Sequence, residues 1–179
     1  VEDDAVIAHM LSSTIADAGY QVVGIAKGCL DAERIAKETK PHIALVDITL
    51  ADNDCDGIDL EEELRVNMQI PVIFITAASG HAIRTRLQNS RYYGFLTKPV
   101  NQNELLINIE SALKRHSLEK ALRASEEKFR LIYEASPIGI ELYDENGELL
   151  DANQACLDIF GVSDVNHIRG FKLFEDPNV

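Results

Sequence analysis

The stretch IALVD, residues 43–47, places an acidic side chain at the end of an almost unbroken apolar run. A strand with one wet face alternates apolar and polar residues. This run does not, and suits a strand covered on both faces. Working outward, QVVGIA (21–26), VIFI (72–75) and GFL (94–96) share its texture and read, with IALV (43–46), as strands. Helical patterns lie between them. Ile7, Met10, Leu11 and Ile15 recur at helical spacing over 5–17, which ends near Gly19; 31–38 is helical before Pro41; and Leu60 and Leu64 flank the EEE run of another helix. Strands alternating with helices predict a parallel sheet covered on both faces, with any chemistry beyond the carboxyl ends of the strands.

Those ends carry a consistent set of groups. Glu2 and Asp3 follow a first strand of which Val1 is nearly all that remains, Asp47 ends IALVD, Thr76 lies in VIFITAA, and Lys98 lies in FLTKPV. Carboxylates crowded at one sheet end repel by roughly 1–4 kcal/mol per close pair. A hard divalent cation relieves that repulsion. Magnesium prefers oxygen ligands and neutralises charge during phosphoryl transfer. A carboxylate can attack phosphorus as a nucleophile, while a hydroxyl and an ammonium flank the product's oxygens.

In this order and near these separations, VEDD, ALVD, ITA and LTKP resemble the receiver domain of two-component response regulators, over residues 1–116. The resemblance implies a flavodoxin-like, doubly wound, five-stranded parallel sheet that acts in a phosphorelay. It implies Asp47 as the phosphoacceptor, and Glu2, Asp3, Asp47 and the Thr49 backbone carbonyl as ligands of Mg2+. It further implies Thr76 as the switch hydroxyl, Phe95 as the switch aromatic, Lys98 as the phosphate-pairing lysine, and a cis bond at Lys98–Pro99. The implied partner is a histidine kinase or phosphotransfer protein. The fragment then reads as a phosphoacceptor switch rather than a turnover enzyme, in a parent chain able to carry a histidine kinase domain. Two features depart from the family pattern. The segment ADNDCDG (51–57) is longer than the commonest spacing, and the first strand is nearly absent, so the sequence reads as cropped ahead of Val1. Real loss of a central strand would open sheet edges and remove much of the core.

From Asn101 a long polar helix begins, with apolar positions at Leu106, Ile109, Leu113, Leu118, Leu122, Phe129 and Ile132. It reads as a signalling helix or short coiled coil, with 117–130 as a linker, and predicts a homodimer through this helix or the last receiver face. After Pro137, IGIELY, a DENG turn, ELLDA and NQACLDIFG read as strand, hairpin, strand and capped helix, with Asn153 as the cap and Asp151 supporting the same turn. Residues 125–179 resemble the beginning of a PAS sensory domain. A partial α+β PAS domain is expected over 131–179.

Composition removes some function classes. Seventeen Lys and Arg against thirty Asp and Glu give a net charge of −13, unsuited to binding nucleic acid phosphates. No apolar run is long enough to span a bilayer, and VEDD is unlike a basic leader. Cys29, Cys55 and Cys156 are odd in number, far apart and without metal-ligand spacing, which suggests neither a disulfide framework nor a zinc site and reads as a reducing, cytoplasmic compartment. Bland readings stand beside the sharp ones. The VEDD acids would suit a helix N-terminus. Asp52, Asp54, Asp56, Asp59 and Glu63 imitate a calcium loop without its preceding helix. His116 reads as a solvated helix position, and Tyr92 and Tyr93 as packing or a partner surface. The rival functions are a scaffold receiver that is not phosphorylated and a Mg2+-dependent aspartyl phosphatase. The second carboxylate such a phosphatase needs falls where Thr49 stands.

Overall fold

The structure is a computed structural model that describes residues 1–50, 55–77 and 90–175. It divides into two compact units, Val1–Glu119 and Lys120–Val179.

The first unit is built on a parallel sheet of order β1-β2-β3, with β1 Ala44–Asp47, β2 Val72–Thr76 and β3 Gly94–Thr97. Side chains alternate across this sheet into two cores. Val46, Val72 and Phe74 pack with Leu60 and Leu64 of α3 (Gly57–Met68) and with Ala32 and Ala36 of α2 (Cys29–Thr39). Ile73, Ile75 and Leu96 pack instead with Leu11 of α1 (Ala5–Asp17) and with Leu105, Ile109 and Ala112 of the long helix α4 (Gln102–Ala135). The fold is thus the expected doubly wound, flavodoxin-like α/β arrangement. The inward row of α4 starts at Leu105, which is buried, and not at the expected Leu106, which is half-buried.

One strand reading is corrected, and with it the expected strand count. Among the described residues the sheet has three strands, and residues 21–26 form none. A strand exists through its neighbour's hydrogen bonds, and among the described residues the place between 21–26 and β1 is held by Val1 and Glu2. The Val1 nitrogen donates to the Leu45 carbonyl at 2.6 Å, the Asp47 N–H to the Val1 carbonyl at 3.0 Å, and the Glu2 N–H to the Ala26 carbonyl at 2.9 Å. Beyond these bonds lies a trough of about 510 Å³, lined by Tyr20, Val22, Leu45 and Ile75 among others.

Helix ends follow their caps. Asp4 accepts from the Val6 and Ile7 N–H groups at 2.8 and 3.2 Å, so this member of the VEDD cluster does serve a helix N-terminus. Asp56 and Asp59 form a reciprocal capping box on α3, and Glu63 accepts from Asn67 at 2.5 Å. Those roles replace the calcium-loop reading for these three acids; Asp52 and Asp54 lie outside the described residues.

The second unit carries an antiparallel pair, β4 Glu141–Tyr143 and β5 Leu149–Ala152, joined through the Asp144–Gly147 turn. Gly147 takes the positive φ of +78° that an Asn-Gly hairpin requires. Helix α5, Gln154–Phe160, packs Cys156 and Leu157 beside Ala152. Asn153 organises this unit. Fully buried, its Oδ1 accepts from the Ile140 and Cys156 N–H groups at 2.8 and 3.0 Å, and its Nδ2 donates to the Tyr133 and Ile138 carbonyls at 2.8 and 3.0 Å. Asp151, expected to support the turn into α5, lies instead within β5, where it accepts from the neighbouring Ala152 N–H at 2.9 Å. Among the described residues, no helix is long and apolar enough to cross a membrane.

Candidate functional site

The carboxyl ends of β1, β2 and β3 bring together residues that are far apart in sequence. Asp47 ends β1 and is 4% exposed. A carboxylate so buried needs partners for both oxygens. The Thr49 N–H donates to Oδ1 at 2.9 Å, and the Lys98 ammonium to Oδ2 at 2.5 Å. The same ammonium donates to Glu2 Oε1 at 2.9 Å and lies 2.8 Å from Oε2. Lys98 therefore bridges two buried carboxylates. Burial works against its charge, but hydrogen bonds and Coulomb attraction from Asp47 and Glu2 outweigh that cost and hold its pKa above the usual lysine value.

Local sequence explains this placement. Lys98 directly follows β3, its N–H is bound to the Thr76 carbonyl at 2.8 Å, and the Lys98–Pro99 bond is cis, the isomer expected. Register aligns Asp47 with Ile75 and Thr76 with Thr97, so the acid, the hydroxyl and the lysine emerge at one end of the sheet. Thr76 is fully buried there. Phe95, aligned with Phe74, is half-buried against the α2/α3 core, near Tyr92 at a ring distance of 6.5 Å.

Glu2, Asp3 and Asp47 each offer a carboxylate oxygen, all within 4.8 Å of one another, with Asp3 exposed and the other two buried. Glu2 Oε2 is buried and has no hydrogen-bond donor aligned on it, although it lies in ion-pair range of Lys98. Three carboxylates beside one ammonium leave two negative charges at this point. An oxygen-only donor set and that residual charge fit a hard divalent cation such as Mg2+.

Other features had no signal in the sequence. Gly57 belongs to the site's framework: its N–H donates to the Ile48 carbonyl at 3.2 Å, and a Cβ there would collide with the Asp47 carbonyl oxygen. Only a glycine lets α3 start this close to the strand end. Glu61, 2% exposed on α3, is satisfied by Arg65 at 2.7 Å and Ser90 at 3.0 Å. His116 is not the solvated position expected. It is half-buried, with Nδ1 3.2 Å from the Tyr93 hydroxyl, which also donates to Glu119 at 2.5 Å while Arg115 lies over the Tyr93 ring at 5.0 Å. The sequence reading is also corrected at the cysteines. Cys29 and Cys55 are joined in a disulfide, and Cys156 is free and buried, so the cysteines no longer argue for a reducing compartment. The spacing in sequence gave no sign of this, because folding alone brings α2 beside the entrance of α3.

Comparison with known proteins adds to this geometry. A family model described as the response regulator receiver domain matches residues 1–110, and a PAS domain model matches 127–178. The virulence transcriptional regulatory protein PhoP of Salmonella typhimurium is 30% identical over 118 residues, 65% of this chain and 51% of that protein. This chain thus spans about half the length of the curated relatives it matches. Among solved structures, the signal receiver domain of a modulated diguanylate cyclase from Desulfovibrio desulfuricans G20 is similar with a TM-score of 0.62 and 33% identity, covering 66% of this chain and 93% of that one. The N-terminal domain of a response regulator/sensory box/GGDEF 3-domain protein from Carboxydothermus hydrogenoformans is similar with a TM-score of 0.60 and 25% identity, covering 66% and 94%.

Proposed function

Since this chain belongs to the response-regulator receiver family, we propose that its first unit accepts a phosphoryl group on Asp47 from a histidine kinase or phosphotransfer protein in the cytoplasm and passes the resulting change to the residues that follow. The observation that carries this reading is the buried Asp47–Lys98–Glu2 bridge at the carboxyl ends of the sheet. Asp47 is the nucleophile. One carboxylate oxygen forms a bond to phosphorus as the bond to the donor's imidazole nitrogen breaks, and the electron pair leaves with the imidazole. Thr49 holds the other oxygen through its N–H and keeps the carboxylate oriented. Glu2, Asp3, Asp47 and the Thr49 carbonyl would hold Mg2+. The ion supplies charge neutralisation at the transferring phosphoryl oxygens.

Lys98 stands next to the attacking carboxylate, so its ammonium can pair with the new phosphoryl group without leaving the site. Thr76, at the end of the adjacent strand, supplies the hydroxyl that closes on the phosphoryl group, and Phe95 reports that movement at the surface of β3. Moving a two-state element from 1:99 to 99:1 takes about 5.5 kcal/mol, within reach of several charge-assisted hydrogen bonds.

The division we favour is a receiver over 1–116, a helical linker over 117–130 and the opening of a PAS module over 131–179. A sensory module after a receiver is the order in the three-domain protein of Carboxydothermus hydrogenoformans. Leu118, Leu122, Phe129 and Ile132 of α4 are all more than half exposed, which supports a homodimer through this helix. A monomeric mass in solution would sink that part. The charge of −13 weighs against nucleic acid as a direct ligand of this segment.

The test is intact-protein mass after incubation with acetyl phosphate, with and without Mg2+, for wild type and Asp47→Ala. One phosphate adduct that needs both Mg2+ and Asp47 supports the reading. No adduct in the wild type favours the scaffold alternative. Steady release of inorganic phosphate with no accumulating adduct favours the phosphatase alternative.

A further inference from the structure

Cys29 and Cys55 are 26 residues apart in sequence, yet their Cα atoms are 6.3 Å apart and their sulfurs are joined. That Cα separation is one a disulfide bridges without backbone movement. Cys29 opens α2 and is 2% exposed, while Cys55 is half-buried just ahead of α3. Both sulfurs lie against one carbonyl, that of Asp56, at 3.6 and 3.3 Å. An acceptor for an S–H is therefore already in place when the bond is open. Asp56 is the N-cap of α3, and its neighbour Gly57 donates to the Ile48 carbonyl and lies so near the Asp47 carbonyl that a Cβ there would collide with it. The cysteine link thus ends beside the close approach of α3 to the backbone of Asp47.

We propose that Cys29 and Cys55 form a reversible redox pair, closed by exchange with a low-molecular-weight disulfide, that tethers the entrance of α3 to α2 beside Asp47. Cys55, the more accessible sulfur, attacks the oxidant as thiolate. The oxidant's S–S bond breaks, a mixed disulfide forms and one small thiol leaves. Cys29 then displaces the second small thiol and completes the internal bond. Two electrons pass from the cysteines to the oxidant, and their two protons end on the released thiols. In the cytoplasm of the function proposed above a permanent structural disulfide is unusual and a transient one suits a sensor, so the reversibility of the pair rests on that reading. The effect on phosphoryl uptake rests on Asp47 being the phosphoacceptor; the redox pair itself does not.

The full chain, first reduced and then treated with oxidised glutathione, tests this by intact mass, peptide mapping and hydrogen exchange at the Gly57 amide. Cys156 is the internal control, since it is 3% exposed and burial, then Glu141, pushes its thiol pKa up to about 11. The expected result is a Cys29–Cys55 peptide with loss of the two thiol hydrogens, an unmodified Cys156, and Gly57 exchange slowed by about tenfold in the linked form. Cys55→Ser should exchange at the reduced rate under both conditions. A mixed disulfide on Cys55 that never resolves, or a link that leaves Gly57 exchange unchanged, overturns the proposal. Acetyl phosphate should label the linked form faster, by about threefold, because the site is pre-organised. Equal labelling overturns the coupling to Asp47. A link with slowed exchange and no labelling in either form counts against the phosphoacceptor reading alone.

Discussion

Residues 72–76 and 21–26 are both rich in branched aliphatics, VIFIT and QVVGIA, but they end in different states. In the first, all five side chains are buried and the strand is hydrogen-bonded on both sides. In the second, Val22, Val23 and Ile25 are 36%, 40% and 48% exposed, and the Glu2 N–H ties the segment in at Ala26. The difference lies in the neighbours and not in the residues. β-propensity measures how well a side chain packs on a pleated, partnered surface, so a segment without a partner does not express it.

The largest effect should come from supplying that partner. A chain in which about five extended, β-branched residues lead into Val1 continues the Val1–Leu45 pairing into the trough and should melt more than about 10 °C above the segment that starts at Val1. Amide exchange at 22–26 should slow at the same time. An unchanged melting temperature would break the comparison.

Ile73→Ala should cost about 3 kcal/mol in urea unfolding, as expected of a fully buried central strand residue, whereas Val23→Ala should cost less than about 0.5 kcal/mol. Equal costs would show that the two segments are packed alike.

Lys98→Met sharpens the comparison where the two regions meet, because Lys98 follows β3 and pairs with Glu2, the residue bonded to Ala26. Two buried carboxylates would lose their counter-charge, costing about 3–5 kcal/mol. Added Mg2+ should recover part of that loss. A destabilisation that ignores Mg2+ would count against the acidic cluster as a cation site.

The smallest effect is one of pH. The Lys98 pKa is raised in the folded state, so its stabilisation is complete below the ordinary value of 10.5 and is lost as pH climbs through the higher folded value. The difference in urea midpoint between wild type and Lys98→Met should be flat up to about pH 10 and shrink above it. A difference that shrinks toward acid instead would point to the carboxylates.

Much of the fold and site was legible because it is carried by short-range pattern. The apolar run ending at Asp47, the Lys98-Pro99 step and the Asn-Gly hairpin each state their local geometry in the residues themselves. What escaped depends on residues meeting across the fold. The single tie of 21–26 to Glu2, the role of Gly57 under the Asp47 carbonyl, the contact of His116 with Tyr93 and the pairing of Cys29 with Cys55 are all long-range or steric facts. Leu105 replaced Leu106 in the core because the face of α4 is chosen by the sheet, and a periodicity tolerates either.

The most direct test of the central claim is chemical trapping at residue 47. The full chain is incubated with acetyl phosphate and Mg2+, reduced with borohydride, which converts an aspartyl phosphate to homoserine, and mapped by peptide mass spectrometry. Homoserine at position 47, absent when Mg2+ is withheld, is the expected result; homoserine at Asp3 or another acid, with Asp47 unaltered, would contradict the account.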